Sequence, residues 1–110
     1  RTDVDVGVAY GSPTEEVRRL IEVALTEEDL VLKRPKWDVL FMEFGDNSLL
    51  FRAFFWIRVD GFLDRDRVGS AVRFRIDALF REAGIEISFP QRDVHLDTMR
   101  PLEVKLLDRP

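Results

Sequence analysis

Between Ser48 and Val59 the chain reads SLLFRAFFWIRV, and apolar side chains fall on both alternating sets of positions. Successive residues of a strand point to opposite faces. Leu49, Phe51, Ala53, Phe55, Ile57 and Val59 therefore share one face, and Leu50, Arg52, Phe54, Trp56 and Arg58 share the other. The preceding segment behaves alike, with Val39 and Phe41 on one side and Leu40, Met42 and Phe44 on the other. A sheet covered by helices on one side normally presents polar residues to water on the other. Any fold for this chain must account for a central pair of strands with apolar residues on each face.

The flanking segments supply the rest of a two-layer unit. Val4, Val6, Val8 and Tyr10 alternate with Asp3, Asp5, Gly7 and Ala9, the period of a half-covered strand. Ser12-Pro13-Thr14-Glu15 has the order of a helix start: a serine cap, proline at the first helical position and a glutamate completing a capping box. Val17, Leu20, Ile21 and Ala24 recur at helical spacing up to about Thr26. Leu30–Leu32 reads as a short extended piece. Trp37–Phe44 and Ser48–Val59 form a hairpin across Gly45-Asp46-Asn47. Asp64 caps a second helix with the stripe Val68, Ala71, Val72, Ile76, Leu79 and Ala83, closed by Gly84. Ile85–Phe89 is a fourth strand. The order β-α-β-β-α-β predicts an α+β, ferredoxin-like two-layer sandwich over residues 1–90. Residues 91–110 form a tail with an extension strand, in which Val94 and Leu96 alternate with Asp93, His95 and Asp97.

Composition narrows the function. The chain carries 17 basic and 21 acidic residues, a net charge of −4. That balance weighs against a nucleic-acid partner, whose binding rests on excess positive charge. The glycine-containing central-strand motif of RNA-recognition sheets is absent from LLFRAFFWIRV. With no cysteine and a single histidine, His95, neither a thiolate nor a histidine-based metal centre is expected. No G-x-S-x-G elbow and no phosphate loop occurs, so the reading is of a non-enzyme without cofactor. Glu43 shares the face of Val39 and Phe41 by alternation and is expected to escape burial at the strand end. Either the tail or a loop folds over this outer face, or Leu50, Arg52, Phe54 and Trp56 form a subunit interface, the preferred reading, since aromatic residues mixed with arginine are characteristic of interface centres.

Three stretches carry a resemblance. VGVAYGSPTEEV (Val6–Val17), VLFMEFGDNSLLF (Val39–Phe51) and FREAGIEISFPQRDVHL (Phe80–Leu96) resemble the C-terminal soluble region of the small-conductance mechanosensitive channel (MscS-type) family. The likeness runs from about Val4 to Leu96, and the combination Ala83-Gly84-Ile85 with Phe89-Pro90-Gln91-x-Asp93-Val94 is its most specific part. Ser88 departs from it, standing where proline is common in the family. The resemblance implies a cytoplasmic cage or vestibule domain of a membrane channel, a homo-oligomer and usually a heptamer. Such a channel passes ions and small osmolytes under membrane tension. Membrane attachment would come through upstream segments, and a strand around Val94, His95 and Leu96 would join equivalents from neighbouring subunits in a barrel. A free-standing ferredoxin-like module that binds a ligand or protein on its sheet is the alternative from a different class. An upstream pore helix would distinguish the channel from the module.

Overall fold

The computed structural model describes residues 1–58 and 64–88. Its element order is β1 (Thr2–Val8), α1 (Thr14–Glu27), β2 (Asp38–Phe44), β3 (Leu49–Phe55) and α2 (Arg65–Ala83). The three strands form an antiparallel sheet in the order β1-β3-β2. The architecture is α+β, with a small sheet and two helices. The expected fourth strand is present among the described residues as a single bridge, Val8 to Ile87, at the free edge of β1. Two backbone hydrogen bonds hold it: Ala9 N–H donates to the Glu86 carbonyl at 3.0 Å, and Ser88 N–H donates to the Gly7 carbonyl at 2.9 Å. The expected boundary at residue 90 and the tail strand at Val94, His95 and Leu96 lie outside the described residues.

The alternations translate directly into a core. Val4, Val6 and Val8 of β1 and Leu49, Phe51, Ala53 and Phe55 of β3 are buried on one side of the sheet. They meet Val17, Leu20, Ile21, Ala24 and Leu25 of α1 and Val68, Val72, Ile76 and Phe80 of α2. The α2 stripe differs from expectation at its C-terminal end. Phe80 is fully buried, whereas Leu79 is half-buried and Ala83 exposed. Phe80 falls on the Val72–Ile76 line, four residues further on, and the larger side chain fills the space. Leu30–Leu32 contributes a short bridged piece: Val31 pairs with Ile57, and Leu32 N–H donates to the Trp56 carbonyl at 2.9 Å.

Helix ends were resolved by different devices. Asp64 caps α2 as its sequence predicts, accepting from Arg67 N–H at 2.9 Å. Gly84 takes the left-handed conformation, φ 75°, that lets the chain leave α2 and return toward β1. The capping box at α1 does not form. Pro13 occupies the cap position without a side-chain bond. Ser12 instead points its hydroxyl back into the turn, donating to the Ala9 carbonyl at 2.7 Å, and Glu15 pairs with Arg18 at 2.7 Å. A carbonyl was already within reach of Ser12, so the hydroxyl closes the turn and leaves the helix start alone.

The C-terminal end of α1 is held by residues outside its last turn, which has no basic side chain. The Lys33 ammonium donates to the carbonyls of Glu28 and Val31, both at 2.8 Å, and of Leu25 at 3.3 Å. It thereby places a cation where the helix dipole is negative. Glu28 is buried, and its carboxylate accepts from Arg75 Nε at 2.8 Å and from Leu30 N–H at 3.2 Å. That ion pair fastens α1 to α2. Burial pushes the Glu28 carboxyl up, but the bonds from Arg75 and Leu30 outweigh it and hold the group below its ordinary value.

Candidate interaction surface on the sheet

The strand register arranges the outer face of the sheet in rows. Asp3, Phe54 and Asp38 lie side by side; Asp5, Arg52 and Leu40 form the next row; Gly7, Leu50 and Glu43 form the third. Aromatic and aliphatic groups on β3 are thus flanked by carboxylates from both neighbouring strands. The face is mixed rather than continuously apolar, because register places Asp3 and Asp38 beside Phe54.

Each candidate residue has a defined place in this array. The Arg52 guanidinium grips Asp5 with two bonds, Nε to Oδ1 at 2.5 Å and Nη2 to Oδ2 at 3.1 Å. The Asp5 bond raises the Arg52 pKa, so its charge is fixed. Phe54 is half-buried beneath the Arg1 guanidinium, whose carbon stands 4.7 Å from the ring centroid. Trp56 lies just past the end of β3 and is 38% exposed. Leu50 is half-buried and borders a cavity of about 420 Å³ between β1, α2 and the Ile87–Ser88 segment, with Val6, Ile76 and Ile87 among its lining. Leu50, Arg52 and Phe54 therefore lie along one strand face, with Trp56 beyond its end. The barrel residues Val94, His95 and Leu96 fall outside the described residues.

The second half of β2 departs from the expected alternation. The β2–β3 register shifts between Phe41 and Glu43, so Met42 is an extra residue, a β-bulge. Beyond it every side chain changes face. Glu43, expected beside Val39 and Phe41, sits opposite Leu50 on the outer face, while Phe44, expected with Leu40 and Met42, sits opposite Leu49 on the helix side. Phe44 contacts Phe41 edge-on at 5.0 Å, and Phe41 in turn stacks on Phe51 at 4.8 Å. The bulge thus gathers aromatic rings at one sheet edge. Four of the seven exposed large hydrophobic residues identified among the described residues lie in β2: Leu40, Phe41, Met42 and Phe44.

The run VLFMEF signals apolar character but not where the bulge falls, since neither glycine nor proline marks it. A second exposed ring, Phe74 on α2 at 75% exposure, escapes a sequence reading for another reason. It lies off the Val68–Val72–Ile76 stripe and so drops out of a search for core positions, although an apolar ring at a solvent-facing position is itself a signal.

No group of three or more potential metal ligands occurs among the described residues, and no described helix is long and apolar enough to cross a membrane. The arrangement offers charge-framed apolar contact surfaces.

Comparison with known proteins gives the family context. The family model "Mechanosensitive ion channel MscS, C-terminal" matches residues 2–87. An MscS family protein of Haemophilus influenzae is 36% identical over 96 residues, covering 87% of this chain and 8% of its own length. The mechanosensitive channel MscK of Escherichia coli is 36% identical over 109 residues, covering 99% of this chain and 10% of its own. The small-conductance mechanosensitive channel MscMJ of Methanocaldococcus jannaschii is 30% identical over 98 residues, 88% of this chain and 28% of that protein. The chain therefore spans only a tenth or less of the first two relatives. A crystal structure of Helicobacter pylori MscS in its closed state superposes with a TM-score of 0.71 at 24% identity, over 89% of this chain and 38% of that one.

Proposed function

We propose, for a chain that belongs to the MscS family of mechanosensitive ion channels and corresponds to its C-terminal domain, a structural role in a channel oligomer. The family is one of channels and not of enzymes. The domain shapes a cytoplasmic vestibule beneath a membrane pore, through which ions and small osmolytes pass when tension opens the parent protein. Its two-layer unit is ferredoxin-like, with the bridged segment at Ile87 standing in for a fourth strand. The parent assembles as a homo-oligomer, a heptamer, attached to the membrane by segments upstream of residue 1. Leu50, Arg52, Phe54 and Trp56 serve subunit contact, and a strand containing Val94, His95 and Leu96 joins the barrel below. The observation that carries this reading is the family match across residues 2–87.

The test is Trp56→Ala in the full-length parent. Its sedimentation is expected to shift toward smaller species, while the melting temperature of the chain changes little, because the indole is already 38% exposed. Unchanged association with a collapsed melting temperature would assign Trp56 to the core of its own chain.

A further inference from the structure

Two exposed aromatic surfaces lie on opposite flanks of the domain. Strand β2 is one outer strand of the described sheet, beside α1, whereas α2 lies over the β1 side. On the first flank, Leu40, Phe41, Met42 and Phe44 are exposed, with Phe44 at 77%. On the second, Phe74 stands out from α2 over a shallow hollow lined by Ser70, Arg73 and Asp77. A solvent-facing edge strand is normally protected by lysine, proline or inward-pointing charge. This one presents four large apolar side chains, and among the described residues its protection is the Met42 bulge with Asp38 and Glu43.

The charges around the two patches are opposite in sign. From Asp38 to Asn47 the chain carries Asp38, Glu43 and Asp46 and no basic residue. Helix α2 carries five arginines against Asp66, Asp77 and Glu82. Arg67 lies two helical turns before Phe74 on its own face and Arg73 borders it, while Arg81, two turns beyond, is paired with Asp77 and Arg75 with Glu28. An apolar centre with acidic groups on one flank thus matches an apolar knob framed by arginines on the other. Complementary potentials of this kind fix which surfaces meet and in what orientation.

We propose that the β2 edge of one copy receives the Phe74 face of α2 from a second copy of this chain. Leu40 and Met42 form the seat beside Glu43, which Arg73 approaches. The inference rests on the oligomeric reading above and adds a second contact to the one assigned to Leu50, Arg52, Phe54 and Trp56. Because the two surfaces differ, the contact is head-to-tail, and repetition closes a ring if the rotation between copies permits.

Disulfide trapping tests it. None of the 110 residues is a cysteine. In the full-length parent, freed of any other cysteine, Met42→Cys combined with Phe74→Cys should give an oxidised ladder beyond dimer, and neither single variant should. A charge exchange supplies a second readout. Glu43→Arg should weaken subunit association at low salt about tenfold, and adding Arg73→Glu should restore it. An oligomeric parent that forms no ladder, or charge variants that do not rescue one another, would overturn the contact and leave the oligomer standing. Dimers from Phe74→Cys alone would replace it with a symmetric helix contact. Labelling of Met42→Cys that rises only after deletion of residues 91–110 would put the chain's own tail on the seat. A wild-type parent found as single chains would remove the oligomeric reading itself.

Discussion

Replacing Gly7 by alanine should detach the Glu86–Ser88 segment from β1. A methyl group built at Gly7 lies 2.4 Å from the Ser88 carbonyl oxygen and 3.2 Å from Ser48 Oγ. The serine hydroxyl can rotate away, but the carbonyl belongs to the backbone. It would have to retreat by about 1 Å to reach ordinary contact, and a 2.9 Å N–H···O bond lengthened by that amount is no longer a hydrogen bond. Three bonds depend on the close approach: Ala9 N–H to Glu86, Ser88 N–H to Gly7, and the Ser88 hydroxyl to the Asn47 carbonyl. At about 1 kcal/mol each the loss is about 3 kcal/mol. Stiffening of the unfolded chain by alanine returns about 0.5 kcal/mol, leaving a net destabilisation of about 2–3 kcal/mol. For a domain of this size that lowers the melting temperature by about 10 °C. Hydrogen exchange localises the effect, because the Ala9 and Ser88 amides should lose protection while those of β3 keep theirs. If both amides stay protected and the melting temperature falls by less than 2 °C, the steric argument is wrong.

Two further outcomes follow from the core and the helix clamp. Phe51→Ala should cost about 3–5 kcal/mol in urea unfolding, more than Phe41→Ala, since Phe51 is fully buried and Phe41, stacked on it, is 39% exposed. Glu28 has its pKa held below the ordinary value of 4.5, so its contribution is complete above that pH and fades as the pH falls through the lowered value. Glu28→Gln should therefore lower stability at neutral pH and flatten the decline below about pH 4.5.

Much of the fold was legible because it depends on local rules. The valines of β1, the alternation of β3, the Asp64 cap and the left-handed Gly84 each follow from one residue type at one spacing. What escaped depends on partners that spacing does not reveal. Ser12 had two acceptable bonding arrangements, and proximity of the Ala9 carbonyl decided between them. Phe80 is fully buried four residues beyond Ile76, while Leu79 packs partly against the core and Ala83 is exposed, a ranking that helical spacing alone leaves open. The outer-face candidates Leu50, Arg52 and Phe54 were correctly grouped by parity, yet the carboxylates beside them became visible only with the β1–β3 and β2–β3 registers. The Met42 bulge was the least legible feature, since its position moves every later side chain and leaves no mark in the composition.

That one surplus residue also decides how a neighbour can grip the strand. With its rungs offset midway, β2 offers a foreign backbone two short stretches out of step, so no long ladder can zip onto it. Recognition there must come from side chains fitted into shape, which a helix can supply, and runaway fibre growth along this border is discouraged by the same irregularity.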